Sequence, residues 1–461
     1  MRIERDSMGE IQVPDNAYYG AQTQRAFENF PVSDLKLPIP TIRALGIIKR
    51  SASVVNHKLG FISKEIRDAI TQASDEVISG KFNDQFIVDI FQTGSGTSSN
   101  MNTNETIANR ASEIMGGNIG DRFPVHPNDH VNYGQSSNDV FPTAIHVSAN
   151  IEVQKSLIPA LEELQASLHK KAKEFDSVMK IGRTHLQDAT PIRLGQEFSG
   201  YAQMIKNGIA RLKNAQILLC ELAQGGTAVG TGINTHKNFG RLIAEEISNF
   251  SGVKFKEAEN HFEAQAAQDG AVEMSGALKT IAVSLSKIAN DIRWLGSGPR
   301  AGLSEIILPA VQPGSSIMPG KVNPVICEAM IQTCAQVIGN DLAITLGGQG
   351  GYFELNLMLP LISHNLLQSI QILGNASKMF KVKLVDGLLA DENKCRNYIE
   401  GSLAMCTSLA PVIGYDKAAG IAHKAFKTGK TVREIAIEDN ILSEDELNKL
   451  LDPRSMTEPN S

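Results

Sequence analysis

Apolar side chains recur at helical spacing along most of this chain, from about residue 41 onward. The main exception is the stretch 2–13, where Ile3, Ile11 and Val13 alternate loosely with polar residues around Gly9. That alternation predicts a small β-hairpin near the N-terminus. The pattern as a whole therefore predicts a mainly α protein that carries a small N-terminal β-hairpin.

The predicted helices are long, and their apolar residues form stripes that neighbouring helices must cover. Helices of this length predict a bundle, and stripes too wide for the interior of one bundle predict packing between subunits as well. Pro159 lies inside the helix predicted over residues 143–175 and should kink or interrupt it. The predicted helices cover residues 41–59, 63–79, 143–175, 191–223, 235–250, 262–295, 324–346 and 360–385.

The lengths of the elements divide the chain into three predicted domains. Residues 1–138 form a mostly helical N-terminal domain, residues 139–390 the central bundle of long helices, and residues 391–461 a small helical C-terminal domain. Short helices in the last domain are indicated by capping-box sequences, which satisfy backbone groups at a helix start. These sequences are Thr431 to Glu434 and Ser443 to Glu446.

Composition excludes several classes of function. The chain has 461 residues, an apolar fraction of 42% and a formal net charge of -6 with no basic block, so neither nucleic acid nor a membrane is an expected partner. No apolar run is long enough to span a membrane, and the N-terminal stretch lacks the apolar segment of a secretory signal. The five cysteines are scattered without a Cys-x-x-Cys, which favours a reducing, cytoplasmic location.

Four polar stretches carry more hydroxyl, amide and imidazole groups than a connection between helices requires. Each stretch alone is typical of turn chemistry, so none identifies a site by itself. The stretches are Thr93–Asn100, His126–Asp129 continuing to Gln135–Asp139, Gly182–Asp188 and Gly314–Pro324.

Two cofactor-binding alternatives fail on their sequence context. Gly226 to Gly232 is glycine-rich like a nucleotide loop, but no strand precedes it and no Lys-Ser/Thr follows, so a dinucleotide or ATP site is not expected. His126, Asp129 and His130 lie near one another without a His-Glu-x-x-His pattern or a nearby cysteine, so no metal site is expected.

The stretch from Gly314 to Pro324 contains two glycines and two prolines, which exclude the interior of a helix or of a central strand. Pro324 opens an apolar run at helical spacing, and Asn323 stands where an N-cap is expected. The loop therefore delivers hydroxyl, ammonium and amide groups to a helix N-terminus, a place that attracts anions.

Five segments together resemble class II fumarases of the fumarase/aspartase superfamily, in the order of that family and across essentially the full chain. His185 and Gly320 resemble the fumarases, since the related aspartate ammonia-lyases usually have glutamine and alanine there. The segments are TGSGTSSNMNTNETIAN (93–109), HPNDHVNYGQSSNDVFPT (126–143), GRTHLQDATPIRLGQE (182–197), GGTAVGTGIN (225–234) and GSSIMPGKVNPVICE (314–328).

The resemblance implies a role for each site residue. Ser315 is the base that takes a proton from carbon, and His185 moves the proton of the hydroxyl that leaves, oriented by Glu328. The implied substrate-binding residues are Ser95, Gly96, Thr97, Ser136, Ser137, Asn138, Thr184, Ser316, Lys321, Val322 and Asn323. A second anion site is implied at His126, Pro127, Asn128 and Asp129.

The same resemblance implies a three-domain fumarase/aspartase-like fold and a lyase that needs no cofactor. Its substrates would be the small dicarboxylates fumarate and (S)-malate of the tricarboxylic acid cycle. Breaking a C–H bond beside a carboxylate puts extra negative charge on that carboxylate, so the site needs a base at the carbon and cations or dipoles at the carboxylate. Enzymes of the family are homotetramers whose active sites take residues from three chains.

Two alternatives stay open at this stage. The first is an aspartate ammonia-lyase, which His185 disfavours. The second is a non-catalytic structural protein, as some superfamily relatives are in the eye lens. The presence together of Ser315, His185, Lys321 and Glu328 argues against that second alternative.

Overall fold

The computed structural model describes residues 1–459, and helices dominate it. The chain begins with an antiparallel hairpin of β1 (Arg2–Asp6) and β2 (Gly9–Val13), paired along the full length of both strands. Gly9 has φ 117°, which glycine adopts without strain, so the chain can reverse there. The predicted hairpin and the mainly α class are confirmed.

All the predicted long helices occur with small shifts of their ends, two of them divided, whereas the helices Ala21–Asn29 and Thr97–Ile114 were not predicted. The α-helices of the described chain are α1 (Ala21–Asn29), α2 (Ile39–Lys58), α3 (Lys64–Ile78), α4 (Thr97–Ile114), α5 (Ser137–Glu152), α6 (Ile158–Glu174), α7 (Leu194–Leu219), α8 (Phe239–Ser251), α9 (His261–Ala266), α10 (Asp269–Leu295), α11 (Val325–Gly348), α12 (Leu359–Lys383), α13 (Glu392–Gly401), α14 (Ala410–Ile413), α15 (Tyr415–Thr428), α16 (Val432–Glu438) and α17 (Glu444–Leu450).

The other strands form short pairs. β3 (Met179–Thr184) and β4 (Gln187–Arg193) make an antiparallel hairpin that the helical pattern did not predict. The remaining pairs are β5 (Glu221–Leu222) with β6 (Lys256–Glu257), β7 (Ile306–Ile307) with β10 (Leu389–Ala390), and β8 (Gly351–Tyr352) with β9 (Leu355–Asn356).

Two predicted helices are each divided in the structure. The predicted helix 143–175 is interrupted by a π-helical turn at Val153–Leu157, just before Pro159, so the predicted interruption is confirmed. The predicted helix 262–295 breaks at Ala267, whose backbone is extended, and α10 begins two residues later.

The described chain forms two compact units. The first comprises Met1–Pro159, Gly208–Ala282 and Cys334–Gly374. Within it α2 packs against α3, α5 and α8, and Leu45 and Ile48 of α2 are fully buried. This packing forms the framework on which the polar loops of the first unit are held.

The second unit comprises Ala160–Asn207, Val283–Thr333 and Asn375–Ser461, of which the last two residues lie outside the described part. Its C-terminal helices enclose an apolar cluster that includes Leu409, Ile435 and Leu447. Both predicted capping boxes form there, because the hydroxyls of Thr431 and Ser443 and the glutamates three residues later satisfy backbone groups reciprocally. The division into domains 1–138, 139–390 and 391–461 stays a prediction.

A buried carboxylate on α4 holds the start of α1. Glu105 is 3% exposed and accepts hydrogen bonds from the backbone N–H groups of Gly20 (2.8 Å), Gln22 (2.9 Å) and Thr23 (3.1 Å). The Thr23 hydroxyl donates a fourth bond at 2.7 Å. Because every partner is a donor, only an acceptor with two free oxygens satisfies this position.

We expect Glu105→Gln to lower the free energy of unfolding by about 2 kcal/mol, because the amide oxygen can replace only one carboxylate oxygen and the NH₂ would face at least the Gln22 N–H, leaving it unpaired. Denaturant unfolding followed by circular dichroism measures the change. The exposed Glu163, changed to Gln, is the control, and its unfolding midpoint should stay close to that of the parent. Equal midpoints for both variants would show that the Glu105 bonds contribute nothing.

Candidate active site

Hydroxyl groups at the start of α4 form a chain that reaches the start of α5. Ser95 Oγ lies 2.7 Å from Thr97 Oγ1, which lies 2.7 Å from Ser137 Oγ. Gly96, the N-cap of α4, has φ 73°, and a Cβ there would approach Phe141 Cδ2 to 2.2 Å. Only glycine fits, so Gly96 allows the chain to turn tightly against α5.

A capping box that sequence analysis did not identify fixes the start of α5. Asp139 Oδ1 accepts a bond from the backbone N–H of Ser136 (3.0 Å), whose hydroxyl accepts from the N–H of Asn138 (3.2 Å). Asp139 Oδ2 also accepts from the N–H groups of Gly225 (3.1 Å) and Thr227 (2.9 Å). The glycine-rich segment 225–234 is thereby held against α5.

These segments surround a cavity of about 970 Å³ in the first unit. Thr97, Ser136 and Ser137 line it together with Asn128 and Asp129 of the predicted second anion site. Ser95, Gly96, Asn138, His126 and Pro127 are not among its lining residues. Asn100, Asn132 and Thr227 lie in the family-like segments and have no role predicted from the sequence, although all three line the cavity. The wall is rich in neutral hydrogen-bonding groups, which suits a small polar ligand.

The predicted second anion site lies on a π-helical turn, Pro127–Val131. His126 Nδ1 accepts bonds from the backbone N–H groups of Asn128 (3.2 Å) and Asp129 (3.1 Å). The same nitrogen lies 3.3 Å from the Asp129 carboxylate. Burial lowers the pKa of the neighbouring His130.

The described part of the chain contains no evident group of metal-binding side chains. Between residues 1 and 459, no three His, Cys, Asp or Glu side chains are grouped closely enough to hold a metal ion.

The loop 314–324 of the second unit is closed by its own backbone. The Gly314 N–H donates to the Lys321 carbonyl at 2.8 Å, and a Cβ on Gly314 would lie 2.4 Å from that oxygen, so glycine is required. Ser315 Oγ accepts bonds from the N–H groups of Ile317 (3.3 Å) and Met318 (3.1 Å). Two aligned N–H donors are the arrangement that stabilises negative charge on a serine oxygen.

The other predicted residues of this loop are accessible. Ser315 is half-buried, whereas Ser316, Lys321 and Val322 are exposed. The Lys321 ammonium and the Ser316 hydroxyl are therefore accessible to a ligand.

The predicted N-cap role of Asn323 is wrong. The Asn323 side chain donates to the Gly314 carbonyl at 2.5 Å, and α11 begins at Val325. The amide therefore closes the base of the loop by joining two residues that are nine positions apart in sequence. Glu328 lies exposed in the first turn of α11, where the helix dipole favours a carboxylate.

Thr184 and His185 lie at the tip of the unpredicted β3–β4 hairpin. His185 and Leu186 form its two-residue turn with φ 56° and φ 62°, the geometry of a type I′ turn. Positive φ at two residues other than glycine is strained, and it holds the imidazole outward and exposed. Below the turn, Arg183 Nη1 lies 2.7 Å from the fully buried Glu305 carboxylate, which anchors the hairpin in the second unit.

The predicted pair of His185 and Glu328 does not form a bond within the chain. Between residues 1 and 459, neither side chain has a hydrogen bond or ion pair with another side chain. The orienting role of Glu328 stays a prediction.

Comparison with known proteins shows which family the sequence of this chain matches. Residues 9–339 match the family described as lyase, and residues 405–458 match the family described as the C-terminus of fumarase C. The class II fumarate hydratase of Halobacterium salinarum is 57% identical over 456 residues, covering 99% of this chain and 97% of its own. The mitochondrial fumarate hydratase of Saccharomyces cerevisiae is 52% identical over 460 residues, covering 99% and 94%.

Solved structures of two similar proteins superpose on this chain over nearly its full length. The class II fumarase of Schistosoma mansoni superposes with a TM-score of 0.97 at 42% identity and full coverage of both chains. A Brucella melitensis protein described as fumarate lyase:delta crystallin, solved bound to cobalt, superposes with a TM-score of 0.94 at 48% identity, covering 99% of this chain and 100% of its own. From its matched regions, its relatives and its fold, the chain belongs to the class II fumarase family of lyases.

Proposed function

We propose that this protein is a fumarate hydratase, which interconverts fumarate and (S)-malate in the tricarboxylic acid cycle without a cofactor. The observation that carries the proposal is the loop 314–324, where Ser315 Oγ accepts two backbone N–H groups beside the exposed Lys321. Relatives of more than 50% identity over nearly the whole chain are named fumarate hydratases, which supports the same activity.

Proton removal from carbon is the difficult step, because it leaves a dianionic carboxylate. We assign Ser315 as the base, since its two N–H partners stabilise the alkoxide that must form. Lys321 neutralises the carboxylate, with Ser316 and the backbone N–H of Val322 beside it. Asn323 adds an amide whose second N–H is not used by Gly314.

The hydroxyl of malate leaves as water after gaining a proton. His185 supplies that proton, because an imidazole can both donate and accept one and this one stands exposed at the hairpin tip, with Thr184 next to it. Glu328 orients the ring. The cavity residues Thr97, Ser136 and Ser137, with Ser95, Gly96 and Asn138 behind them, bind the other end of the dicarboxylate through neutral donors.

We propose that the protein is a homotetramer whose active sites are shared between chains. Apolar residues on α7 and α11 in the first unit support this, because exposed apolar side chains this large mark surfaces that another chain covers. The residues are Ile217 (64% exposed), Leu218 (44%), Ile338 (41%), Leu342 (63%) and Leu346 (53%). The unpaired His185 and Glu328 then find their partners on neighbouring chains.

We place the protein in the cytoplasm, with support from its five cysteines, which are scattered along the sequence without a Cys-x-x-Cys. Relatives of similar identity include both mitochondrial and bacterial enzymes. In the described part of the chain, no helix has the length and apolar character needed to cross a membrane.

Side-by-side assays with malate and aspartate test the proposed activity. We expect fumarate, followed by its ultraviolet absorbance, to form from malate at least about 100-fold faster than from aspartate, because His185 and not glutamine faces the leaving group. A chelator should leave the rate unchanged. Fumarate from aspartate alone would indicate an ammonia-lyase, and no product from either substrate would indicate a structural protein.

A further inference from the structure

One buried cation lies behind the wall of the cavity in the first unit. Lys49 of α2 is fully buried, and its Nζ donates to Asn132 Oδ1 at 2.8 Å and Gln135 Oε1 at 3.1 Å. The amide orientations are fixed by other bonds, since Asn132 Nδ2 donates to the Gln135 carbonyl and Gln135 Nε2 donates to the Val131 carbonyl. Both side-chain oxygens therefore face the ammonium.

The Lys49 charge has no direct ion-pair partner. No carboxylate of the described chain lies within 4.0 Å of its Nζ. Asp139 attracts it from farther away, but the oxygens of Asp139 already accept three backbone N–H groups. Burial lowers the pKa of Lys49 to about 7, against the attraction of Asp139. A lysine buried without a directly bonded carboxylate is costly to the fold, which is typical of functional positions.

Asn132 and Gln135 line the cavity, whereas Lys49 does not. The ammonium is therefore separated from a bound ligand by a single layer of amide side chains. In surroundings of low polarity a charge at this depth acts across several ångströms, and its effect grows with the charge of the ligand.

We propose that Lys49 is a positioning residue that makes this cavity favour doubly charged over singly charged ligands. It acts by holding the Asn132 and Gln135 amides in place and by adding a positive field behind them. This inference rests on the proposed function, because it assigns the selection of a dicarboxylate to a residue outside the implied binding set.

Binding measurements on the purified full-length protein test the proposal with two inhibitors, succinate and its half-amide succinamate. In Lys49→Met we expect the affinity for the dianion to fall about 100-fold and for the monoanion about tenfold, roughly tenfold for each charge. KM for malate should rise while kcat stays within about threefold, since no bond-breaking step uses this residue.

Two further variants separate charge from packing. Lys49→Arg retains the charge and should keep the preference for the dianion even if both affinities fall. Lys171→Met removes a second buried lysine, which bonds to Glu174 and the Leu388 carbonyl, and should leave the preference unchanged. Circular dichroism verifies that each variant is folded.

If folded Lys49→Met lost affinity for succinate and for succinamate by the same factor, the proposal would be overturned and Lys49 would be a packing residue. The binding comparison needs no turnover. If the parent binds succinate but hydrates nothing, the proposed function fails while the role of Lys49 is still decided.

Discussion

We expect Ser315→Ala to lower kcat for malate dehydration by about a thousandfold, because it removes the oxygen that we assign as the acceptor of the proton from carbon. The base of the loop should stay closed, since its bonds from Gly314 to Lys321 and from Asn323 to Gly314 do not involve the Ser315 hydroxyl. KM should therefore change little. Steady-state kinetics with malate, followed as fumarate absorbance, gives both constants.

Ser316→Ala is the matched control, since it removes a hydroxyl from the next residue of the same loop. Ser316 is exposed and is assigned to binding, so this change should raise KM and leave most of kcat. If Ser315→Ala retained the kcat of the parent, the base would have to be another residue.

The second large effect is expected at the hairpin tip, where His185→Asn should lower kcat by about 100-fold. Asparagine tolerates positive φ better than most residues, so the turn at φ 56° should persist when the imidazole is removed. The loss then reports proton transfer to the leaving hydroxyl. Kinetics in both directions measure it, because the same group must take the proton back during hydration.

Leu186→Asn is the control for this second prediction. It places the same tolerant residue at the other turn position, φ 62°, and leaves the imidazole in place. We expect kcat close to that of the parent. Equal losses in the two variants would mean that the turn, and not the imidazole, is what the reaction requires.

Most of the helices were predictable because their signals are local, whereas α4, whose buried face is largely polar, was missed. Periodic apolar residues and the capping boxes at Thr431 and Ser443 act over a few residues, and the structure contains both boxes. The β3–β4 hairpin was missed for a local reason as well. Its register shifts between Ile181 and Arg183, and its turn lacks the Asn-Gly or Asp-Gly signature.

Contacts between distant residues set the limit of the sequence analysis at the site. The polar stretches marked the candidate segments, but the bond from Asn323 to Gly314, nine residues apart, could not be distinguished from an N-cap. Nothing in the sequence distinguishes Lys49 from other helical lysines. Its burial against Asn132 and Gln135, more than 80 residues later, appears only in the folded chain.

Mixed oligomers of Ser315→Ala and His185→Asn test most directly the claim that neighbouring chains complete each active site. Neither variant alone should retain more than about 1% of the parent activity. If the serine and the histidine of one site come from different chains, equal mixing with joint refolding should restore about a quarter of the parent activity. About half of the sites receive an intact serine, and about half of those also receive an intact histidine. Mixed oligomers as inactive as either variant alone would contradict the shared site.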